Sequence, residues 1–575
     1  MIDLLVSDDR QGFGIATALA VEGIPARRIT RAADFEGRVL VATADQLDGA
    51  AAALARQVPA VVLGAHDGAT SSLPALADVA LGISLDDPIW PAAVRARAHS
   101  HGDGVLHLPR ATAYLAPSDL AGTVLATVHD GHGRRTPVVV QRGSQVWCLL
   151  DLGAALTDLL TEAYLPEPAT RSLRPGATRS ALALYYRAPD AVRRVVQRRS
   201  YARLDRHLRG LGACASTYPV DPSGWLLVEL LKALLRRAKG ELVRLARWPA
   251  PYDSAAILTH DIEPSIYAYT AGLEQLLSSV ARSGHPPTFG LVAGPASRSL
   301  FVRSEAGLRR AEVLCHGLEH RGETLDGSRI DIAAGIERAR AMLERRLDRT
   351  ITGFRSPRLD RSPDLLWALD RLGFEYDSSY PDVDRESLDH FGGGVRLNVP
   401  YRPPIAGSDG HLRPSTCLEL PVSAPDCIQP LFQGDDIRQL RRAVRAKIAF
   451  VGETGGLYVG IVHGGVFGDR DAARRGAHLA FVRRQLDRPD VWLANAGDVA
   501  RWWTAREHVV VRVVEDRLVV ANEGRLPVAG ARILVERDAE TLSLPVPLLE
   551  PGQSASLGGL ERGLPGSEFR AQEAS

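Results

Sequence analysis

Cysteine is scarce in this sequence, and its placement excludes two common kinds of site. The chain of 575 residues has five cysteines, at positions 148, 214, 315, 417 and 427. An odd number scattered over a long chain is not the framework of a disulfide-rich domain. Since no two of them are spaced as C-x-x-C, we expect no zinc knuckle built from cysteine.

Lysine is also scarce, although charge is not. Only three lysines occur, and arginine supplies the rest of the 69 basic residues, which face 68 acidic ones. The net charge of +1 creates no overall field that would attract nucleic acid, so we expect no nucleic-acid partner. Hydrophobic residues make up 45% and charged residues 24%, which is ordinary for globular domains.

Long apolar runs are missing as well. No segment has the ~18 uninterrupted apolar residues of a transmembrane helix, and "MIDLLVSDDRQGFG" lacks the basic and apolar regions of a signal peptide. We therefore expect no transmembrane segment and a cytoplasmic location. Two basic amphipathic stretches within 190–250 are expected to pack on neighbouring domains, with peripheral membrane contact as the weaker alternative. The sequence does not indicate an oligomeric state.

Residues 1–165 alternate strand-like and helix-like segments, which predicts a parallel sheet. The stretch "TPVVVQRGSQVWCLLDLG" differs and predicts two strands about a turn at Gly143. The pattern resembles the flavodoxin-like domains related to class I glutamine amidotransferases. Those enzymes need a nucleophilic cysteine on a glycine-flanked turn, whereas Cys148 lies in an apolar strand. We therefore interpret this domain as non-catalytic and Cys148 as a buried core residue.

Three further regions follow, which makes the chain an α/β protein of several domains. Residues 166–250 open with the proline-rich "PEPATRSLRPG" and form a linker with two amphipathic helices. Residues 251–505 again alternate strands and helices, and repeated units of this length predict a closed or nearly closed barrel. Residues 506–575 change to a period of two, which predicts a small antiparallel β-sandwich with a frayed tail.

Polar side chains stand where the predicted barrel strands end. The segments are "LTHDIE", "CHGLEH", "GFRSPR", "YDSS" and "IVHGG", which contribute Asp261 and Glu263, His316 and His320, Arg355, Asp377, and His463. Asp261 and Glu263 face the same way if the chain is extended there. Because the carboxyl ends of barrel strands form one rim, we expect all seven side chains to share a site.

Read by itself, "HGLEH" matches H-x-x-E-H, the signature of inverted zinc proteases. That interpretation needs one continuous helix carrying both histidines. However, "EVLC" before His316 is strand-like, Gly317 weakens a helix, and residues 321–322 end it early. No carboxylate ligand on a second helix stands out downstream. We therefore interpret the motif as a metal site of another kind, with Glu319 as a bystander.

In order and context, the strand-end motifs resemble the polysaccharide deacetylases of the NodB-homology type, carbohydrate esterase family 4. "THDIE", "HGLEH", "RSPR", "DSSY" and "IVH" correspond to the five motifs of that family, over residues 255–505. The resemblance implies a distorted, seven-stranded (β/α) barrel. It also implies a metal-dependent hydrolase that removes acetyl groups, above all N-acetyl groups, from a sugar, glycan or polysaccharide precursor.

The resemblance also implies a metal site. Glu263, His316 and His320 would hold one divalent ion and leave positions open for water and substrate, as a catalytic zinc site does. Zinc is the expected ion, and cobalt and nickel are the alternatives.

Four residues receive catalytic roles from the same resemblance. Asp261 would be the general base, and Arg355 would orient it through a charge-assisted hydrogen bond. His463 would be the general acid that protonates the leaving amine, and Asp377 would orient His463. If so, the partner of the protein is an acetylated carbohydrate.

Two positions depart from the family's pattern. The family has adjacent aspartates in its first motif, whereas Asp261 and Glu263 are spaced by one residue, as in the D-x-D variant of enzymes acting on cyclic imides and cell-wall glycans. Arg358 replaces an aromatic residue; its N–H suits an oxyanion, and its side chain would favour an acidic sugar. Two alternatives stay open: an amidase of the same fold acting on a cyclic imide or ureide, and a non-catalytic carbohydrate- or partner-binding scaffold.

Overall fold

The computed structural model describes most of the chain. The described residues are 1–6, 9–47, 49–64, 81–108, 113–114, 120–129, 135–165, 190–212, 215–262, 276–278, 280–282, 284–294, 307–309, 311–320, 327–385, 392–407, 411–423, 437–462, 472–514, 517–537 and 540–559.

The N-terminal domain, residues 1–165, is built on a nine-stranded sheet in the order β2-β1-β3-β4-β9-β8-β7-β5-β6. Its strands are β1 (Ile2–Leu5), β2 (Ala26–Arg28), β3 (Val39–Thr43), β4 (Ala60–Leu63), β5 (Leu81–Ser84), β6 (Val105–Leu108), β7 (Thr123–His129), β8 (Arg135–Arg142) and β9 (Gln145–Cys148). Its helices are α1 (Asp9–Glu22), α2 (Gly49–Gln57), α3 (Ala92–His101) and α4 (Leu152–Thr161).

The predicted parallel sheet is found in only part of this domain. The five strands β2, β1, β3, β4 and β9 are parallel, whereas β8, β7, β5 and β6 continue the sheet with antiparallel pairings. Only two residues separate β8 from β9, and a connection this short permits a hairpin but not a parallel crossover. The predicted turn at Gly143, whose φ is 61°, is confirmed.

Cys148 is fully buried at the end of β9, as predicted. Burial raises the pKa of its thiol to about 12, so the thiolate that a nucleophile needs does not form at neutral pH. This is consistent with a domain that does not use the cysteine for catalysis.

A connecting region holds α5 (Asp190–Leu211), α6 (Ser223–Lys239) and β10 (Glu241–Leu245). Residues 223–235 of α6 are all buried, and the helix contacts α4, β4 and β9 of the N-terminal domain. Trp225 also meets Phe450 of the next domain edge-to-face, with ring centroids 6.2 Å apart. The packing predicted for this helix is confirmed, and no helix within the described residues is long and apolar enough to cross a membrane.

The next domain is built on a curled parallel sheet in the order β18-β15-β14-β13-β12-β11-β19, with β20 paired to the first half of β11 on the edge opposite β19. Its strands are β11 (Ser254–Ile262), β12 (Thr288–Leu291), β13 (Glu312–Cys315), β14 (Gly353–Phe354), β15 (Tyr376–Asp377), β18 (Leu418–Glu419), β19 (Leu457–Ile461) and β20 (Val491–Ala494), and a separate hairpin has β16 (Pro404–Ala406) and β17 (Leu412–Pro414). Its helices are α7 (Arg329–Leu347), α8 (Pro363–Leu372), α9 (Ile437–Thr454), α10 (Ala472–Leu486) and α11 (Ala496–Glu507).

The sheet curls far enough for its two ends to meet. The backbone N–H of Ser423, just beyond β18, donates to the carbonyl of Val459 in β19 at 2.9 Å, and the N–H of Val459 donates to Ser423 Oγ at 3.1 Å. The nearly closed arrangement expected from the repeated units is therefore present. The eighth strand, β20, is not among those that the sequence predicts.

Helix α7 shows how local sequence sets an element of this domain. Ser328 caps its start in a capping box with Asp331. The apolar residues that recur at helical spacing are all buried; they are Ile332, Ile336, Ala339, Leu343 and Leu347.

The C-terminal strands form two three-stranded antiparallel sheets, β21-β22-β25 and β10-β23-β24, which share an apolar core. The strands are β21 (Val509–Val514), β22 (Arg517–Asn522), β23 (Arg532–Arg537), β24 (Glu540–Pro545) and β25 (Ser554–Gly559). The antiparallel strands expected in this region are thus present, and the second sheet includes one strand from elsewhere. Its strand β10 comes from the region before the barrel and pairs with β23 along its whole length.

A buried ion-pair cluster joins the N-terminal domain, the connecting region and the C-terminal strands. Glu22, at the end of α1, pairs with Arg247 and lies 3.5 Å from Lys232 of α6. Arg244 of β10 reaches Glu536 of β23 at 2.5 Å. Burial opposes ionisation of Glu22, but the charges of Arg247, Lys232 and Arg244 outweigh it and hold the pKa of Glu22 below its usual range.

We predict that Glu22→Ala destabilises the protein by about 3–5 kcal/mol, because it leaves two buried cations with less compensating charge. Urea or thermal unfolding of the full chain measures the loss. Glu523→Ala is the matched control, since it breaks the exposed Arg512–Glu523 pair, and we expect it to cost less than about 1 kcal/mol. Equal losses in the two variants would contradict a stabilising role for the cluster.

Candidate active site

Four of the predicted site residues lie at one edge of the curled sheet. Asp261 is near the end of β11, His316 follows β13, Arg355 follows β14, and Asp377 ends β15. All four side chains are buried. Because β15, β14, β13, β12 and β11 are consecutive and parallel, their carboxyl ends place these residues side by side, as the sequence predicts.

The guanidinium of Arg355 is the centre of this group. Its Nη1 donates to Asp261 Oδ1 at 3.0 Å and to Thr259 Oγ1 at 2.6 Å. Its Nε and Nη2 donate to the carbonyl and hydroxyl of Ser378, both at 2.8 Å. The predicted contact between Arg355 and Asp261 is thus present, and a charge-assisted hydrogen bond of this kind favours the carboxylate form of Asp261.

His316 is held in one tautomer. Its Nδ1 lies 2.9 Å from the carbonyl oxygen of Arg355, and since a carbonyl only accepts, Nδ1 carries the hydrogen. Its Nε2 therefore presents a lone pair and lies 3.9 Å from Asp261 Oδ2. The ring of His320 is 5.1 Å from the ring of His316, centroid to centroid. A metal-binding histidine is commonly oriented in this way, by a hydrogen bond from its other ring nitrogen, here Nδ1, to a carbonyl oxygen.

The segment that carries the two histidines is not a helix. It continues from β13 and is held by backbone hydrogen bonds from Ala293 to Gly317 (3.0 Å) and from Gly294 to Leu318 (2.7 Å). His320 itself has a φ of 60°, which a right-handed helix does not allow. The inverted-protease interpretation requires a helix here and is therefore excluded, and the exposed side chain of Glu319 agrees with its expected role as a bystander.

The predicted metal site is only partly within the described residues. Glu263 and His463 lie outside them, so the third ligand and the general acid stay predictions. Across the described ranges, no group of three or more His, Cys, Asp or Glu side chains is arranged to hold a metal ion. The chemistry of the residues present nevertheless fits a divalent metal, because the contact of Nδ1 with the carbonyl of Arg355 orients the ring of His316 with Nε2 toward Asp261, and an imidazole nitrogen is a common metal ligand.

Asp377 has contacts that the sequence does not predict. Its Oδ1 accepts the N–H of Ser378 at 2.8 Å and the hydroxyl of Ser379 at 2.5 Å. Asp377 Oδ2 is buried without a hydrogen-bond partner among the described residues, and so is Oε2 of Glu419, which lies opposite in the adjacent strand. The predicted orienting role toward His463 stays a prediction, while these contacts place Asp377 in a buried network under Arg355.

Glu419 is the main residue of the site that the sequence reading misses. It ends β18 opposite Asp377 in the adjacent strand. Its Oε1 accepts the backbone N–H groups of Ser379 (3.1 Å) and Tyr380 (3.0 Å). A lone acidic residue within the apolar strand "CLELPVS" is the signal that marks it.

Asp377 and Glu419 form a buried carboxyl pair. Burial, and then the charge of Asp377, raise the pKa of Glu419 well above its ordinary range, and burial raises the pKa of Asp377 to about 6. Two carboxyl groups buried side by side cannot both ionise cheaply, so we expect the pair to keep one proton at neutral pH.

The loop after Arg355 contains the second departure from the family's pattern. Arg358 and Leu359 both adopt left-handed backbone conformations, with φ of 60° and 56°. The Nε and Nη2 of Arg358 both donate to Asp360 Oδ2, at 3.2 and 2.6 Å. The positive charge of this side chain is therefore compensated within the loop.

No protein-family model matches the sequence, and no curated protein matches it. Solved structures do. A protein from Mycobacterium smegmatis, provisionally described as a polysaccharide deacetylase, is 20% identical with a TM-score of 0.37, over 45% of this chain and 93% of that one. The PuuE allantoinase is 14% identical at the same TM-score, over 45% and 93%. The carbohydrate deacetylase Agd3 is 10% identical, again with a TM-score of 0.37, over 96% and 98%.

These matches include the family that the strand-end motifs resemble. They also include a member of carbohydrate esterase family 4 from Bacillus anthracis described as a pseudoenzyme, 12% identical with a TM-score of 0.28, over 43% of this chain and 65% of that one.

The carboxyl pair leads to a prediction about pH. The stability that the shared proton confers is fully present below the ordinary carboxyl pKa of about 4, and it is lost as pH rises through the raised folded-state values. The unfolding free energy of the wild type should therefore fall over this window. In Glu419→Gln the amide donates to Asp377 without a titrating proton, so we expect a shallower fall in urea unfolding between pH 4.5 and 8.

The control is Glu523→Gln, whose carboxylate is part of the exposed pair with Arg512 outside the site. It should keep the pH dependence of the wild type. Parallel curves for wild type and Glu419→Gln would show that no shared proton is present.

Proposed function

We propose that the protein is a metal-dependent hydrolase that removes acetyl groups, N-acetyl groups above all, from a sugar, glycan or polysaccharide precursor. One observation carries the proposal. A buried carboxylate, Asp261, is fixed by Arg355 beside the lone pair of His316, at the edge of a parallel sheet where such folds perform chemistry. This geometry supports the assignment of Asp261 as the base and of His316 as a ligand for a Lewis acid.

Glu263, His316 and His320 would hold the divalent metal, with zinc as the expected ion. When bound, such an ion supplies polarisation of the acetyl carbonyl and acidification of a water molecule. The protein's contribution to this is the orientation of His316, which the Arg355 carbonyl sets at 2.9 Å.

Asp261 acts as the general base and removes a proton from the attacking water. Its Oδ1 accepts a hydrogen bond from Arg355, and its Oδ2 lies 3.9 Å from His316 Nε2; we propose Oδ2, the oxygen on the metal side, as the one that receives the proton. Arg355 holds the carboxylate in place and favours its charged form. Arg355 is itself buried and fixed by hydrogen bonds to Ser378 and Thr259. The base is therefore preorganised.

His463 then protonates the amine as it leaves, so that the acetamide C–N bond breaks with release of acetate and a free amine. The backbone N–H of Arg358 is the proposed donor to the oxyanion. Since Asp360 compensates the charge of the Arg358 side chain, we propose a neutral acetylated sugar as the substrate in place of an acidic one.

The central test is His316→Ala in the full chain. We expect loss of the bound divalent metal and a fall in acetate release of about 100-fold or more. The reason is that His316 is a proposed metal ligand and lies beside the proposed base, Asp261. Metal content is measured directly, and acetate is measured after incubation with N-acetylhexosamine oligosaccharides in zinc, cobalt or nickel.

The matched control is His411→Ala, which removes a histidine of the β16–β17 hairpin region away from the strand ends. It should keep metal and activity. A His316→Ala variant with full metal and full activity would overturn the assignment. Ring opening of a cyclic imide or ureide without acetate release would favour the amidase alternative, and metal-free protein without either activity would favour a scaffold.

We also predict a bell-shaped dependence of kcat/KM on pH. Asp261 must be ionised to accept a proton and His463 must be protonated to donate one, so activity falls at low pH through the first group and at high pH through the second. In His463→Ala the high-pH limb should disappear together with most of the activity. A flat profile between pH 5 and 9 in the wild type would contradict this pair of roles.

A further inference from the structure

The loop from Arg355 to Arg361 is held at two points, one on each side of its left-handed residues. At its start, the N–H of Ser356 donates to Ser379 Oγ at 2.8 Å, and Ser379 is bound to Asp377. Toward its end, Arg361 Nη1 donates to the carbonyl of Leu359 at 3.0 Å. The residues between these points include two unfavourable backbone conformations, which persist only where the surroundings hold them.

The second of these points depends on the N-terminal domain. Arg361 is buried, and its Nε and Nη2 donate to the two carboxylate oxygens of Glu162, both at 2.6 Å. Glu162 directly follows α4 and belongs to the N-terminal domain, 199 residues earlier in the chain. Its Oε1 also accepts the N–H of Gly394 at 2.6 Å. A bidentate pair of this kind fixes the direction of the guanidinium as well as its position.

The remaining contacts make the connection rigid. Arg361 Nη2 also donates to Asp384 Oδ2 at 2.7 Å, so two carboxylates enclose the guanidinium. Beside them, Tyr164 donates its hydroxyl to the carbonyl of Gly394 at 2.6 Å, and the guanidinium of Arg396 lies 4.3 Å from the Tyr164 ring. The chain just after α4 is thus embedded in the deacetylase-like domain.

The loop is also connected to the reacting groups. The carbonyl of Arg355 fixes the tautomer of His316, and its guanidinium holds Asp261. A displacement of residues 356–361 therefore moves both the base and a ligand histidine, although no residue of the N-terminal domain contacts either of them in the described hydrogen bonds.

We propose that Glu162 is a positioning residue of the active site and that the N-terminal domain is a structural part of it, acting through Arg361 on the loop 355–361. The role of this domain is to hold the loop in its strained conformation. The proposal deepens the proposed function and rests on it for its kinetic part alone.

The test compares Glu162→Gln with Glu536→Gln in the full chain. Both carboxylates are buried and both join distant parts of the chain, but Glu536 pairs with Arg236 and Arg244, far from the loop. We expect both variants to lose thermal stability. Only Glu162→Gln should lower kcat, by about 10- to 100-fold with KM little changed, as for a misplaced catalytic group.

Hydrogen exchange supplies a readout independent of activity. The N–H groups of Leu359 and Asp360 are bonded to Ser356 and Pro357, at 3.1 Å in both cases, and we expect their exchange to accelerate in Glu162→Gln and not in Glu536→Gln. Arg361→Lys is the second variant if Glu162→Gln does not fold. A lysine still pairs with Glu162 but cannot also bind Leu359 and Asp384, so it should accelerate the same amides.

The outcomes separate the two proposals. If the wild type releases no acetate from any substrate, the proposed function fails, while the exchange data still decide the role of Glu162. If the wild type is active and the Glu162 and Glu536 variants match in exchange and kcat, the positioning role is wrong.

Discussion

A buried guanidinium has to satisfy its donors inside the protein, and the candidate site is organised by how Arg355 does so. Desolvating this cation is costly unless hydrogen-bond acceptors and a negative charge surround it. Asp261, Thr259 and Ser378 provide them, and they come from β11 and from the end of β15. The side chain of Arg355 therefore connects two strand ends and fixes the carboxylate of Asp261. The hydrogen bonds that compensate the buried charge of Arg355 are also the ones that set the position of the base.

The support beneath this residue is acidic, which is unusual for a position so far from water. Asp377 and Glu419 lie in adjacent strands, and both accept hydrogen bonds from Ser379. With one proton kept on the pair, as we expect from the raised pKa of Glu419, these bonds require only one buried negative charge. The site then contains the positive charge of Arg355, the negative charge of Asp261, and one negative charge on the pair Asp377 and Glu419. The local charge is kept low while every element remains connected by hydrogen bonds.

Local features of the sequence predict well those parts of the structure that depend on nearby residues. Ser328 and Asp331 mark the start of α7, and the strand-end motifs correctly place Asp261 near Arg355 because the carboxyl ends of the strands in a curled parallel sheet form one rim. Glu419 and Glu162 are not predictable in this way. The hydrogen-bond donors to Glu419 are 39 and 40 residues away, and Arg361 is 199 residues from Glu162. These pairings follow from strand order and from domain packing, which hydrophobic periodicity does not reveal. The mixed sheet of the N-terminal domain escapes prediction for the same reason, since the direction of β5 to β8 depends on connection lengths more than on composition.

Strand β10 has a consequence for how the molecule is made. Glu241 and its partner Arg537 are 296 residues apart. During synthesis, β10 therefore cannot pair with β23 until nearly the whole chain has been made. Leu242 and Leu245, buried in the finished protein, stay accessible during that time. An open apolar strand edge is a site of unwanted pairing with other chains. Fragments that keep β10 but end before β23 should therefore aggregate, which makes the C-terminal sandwich a late closing step in biosynthesis as well as a separate layer of the fold.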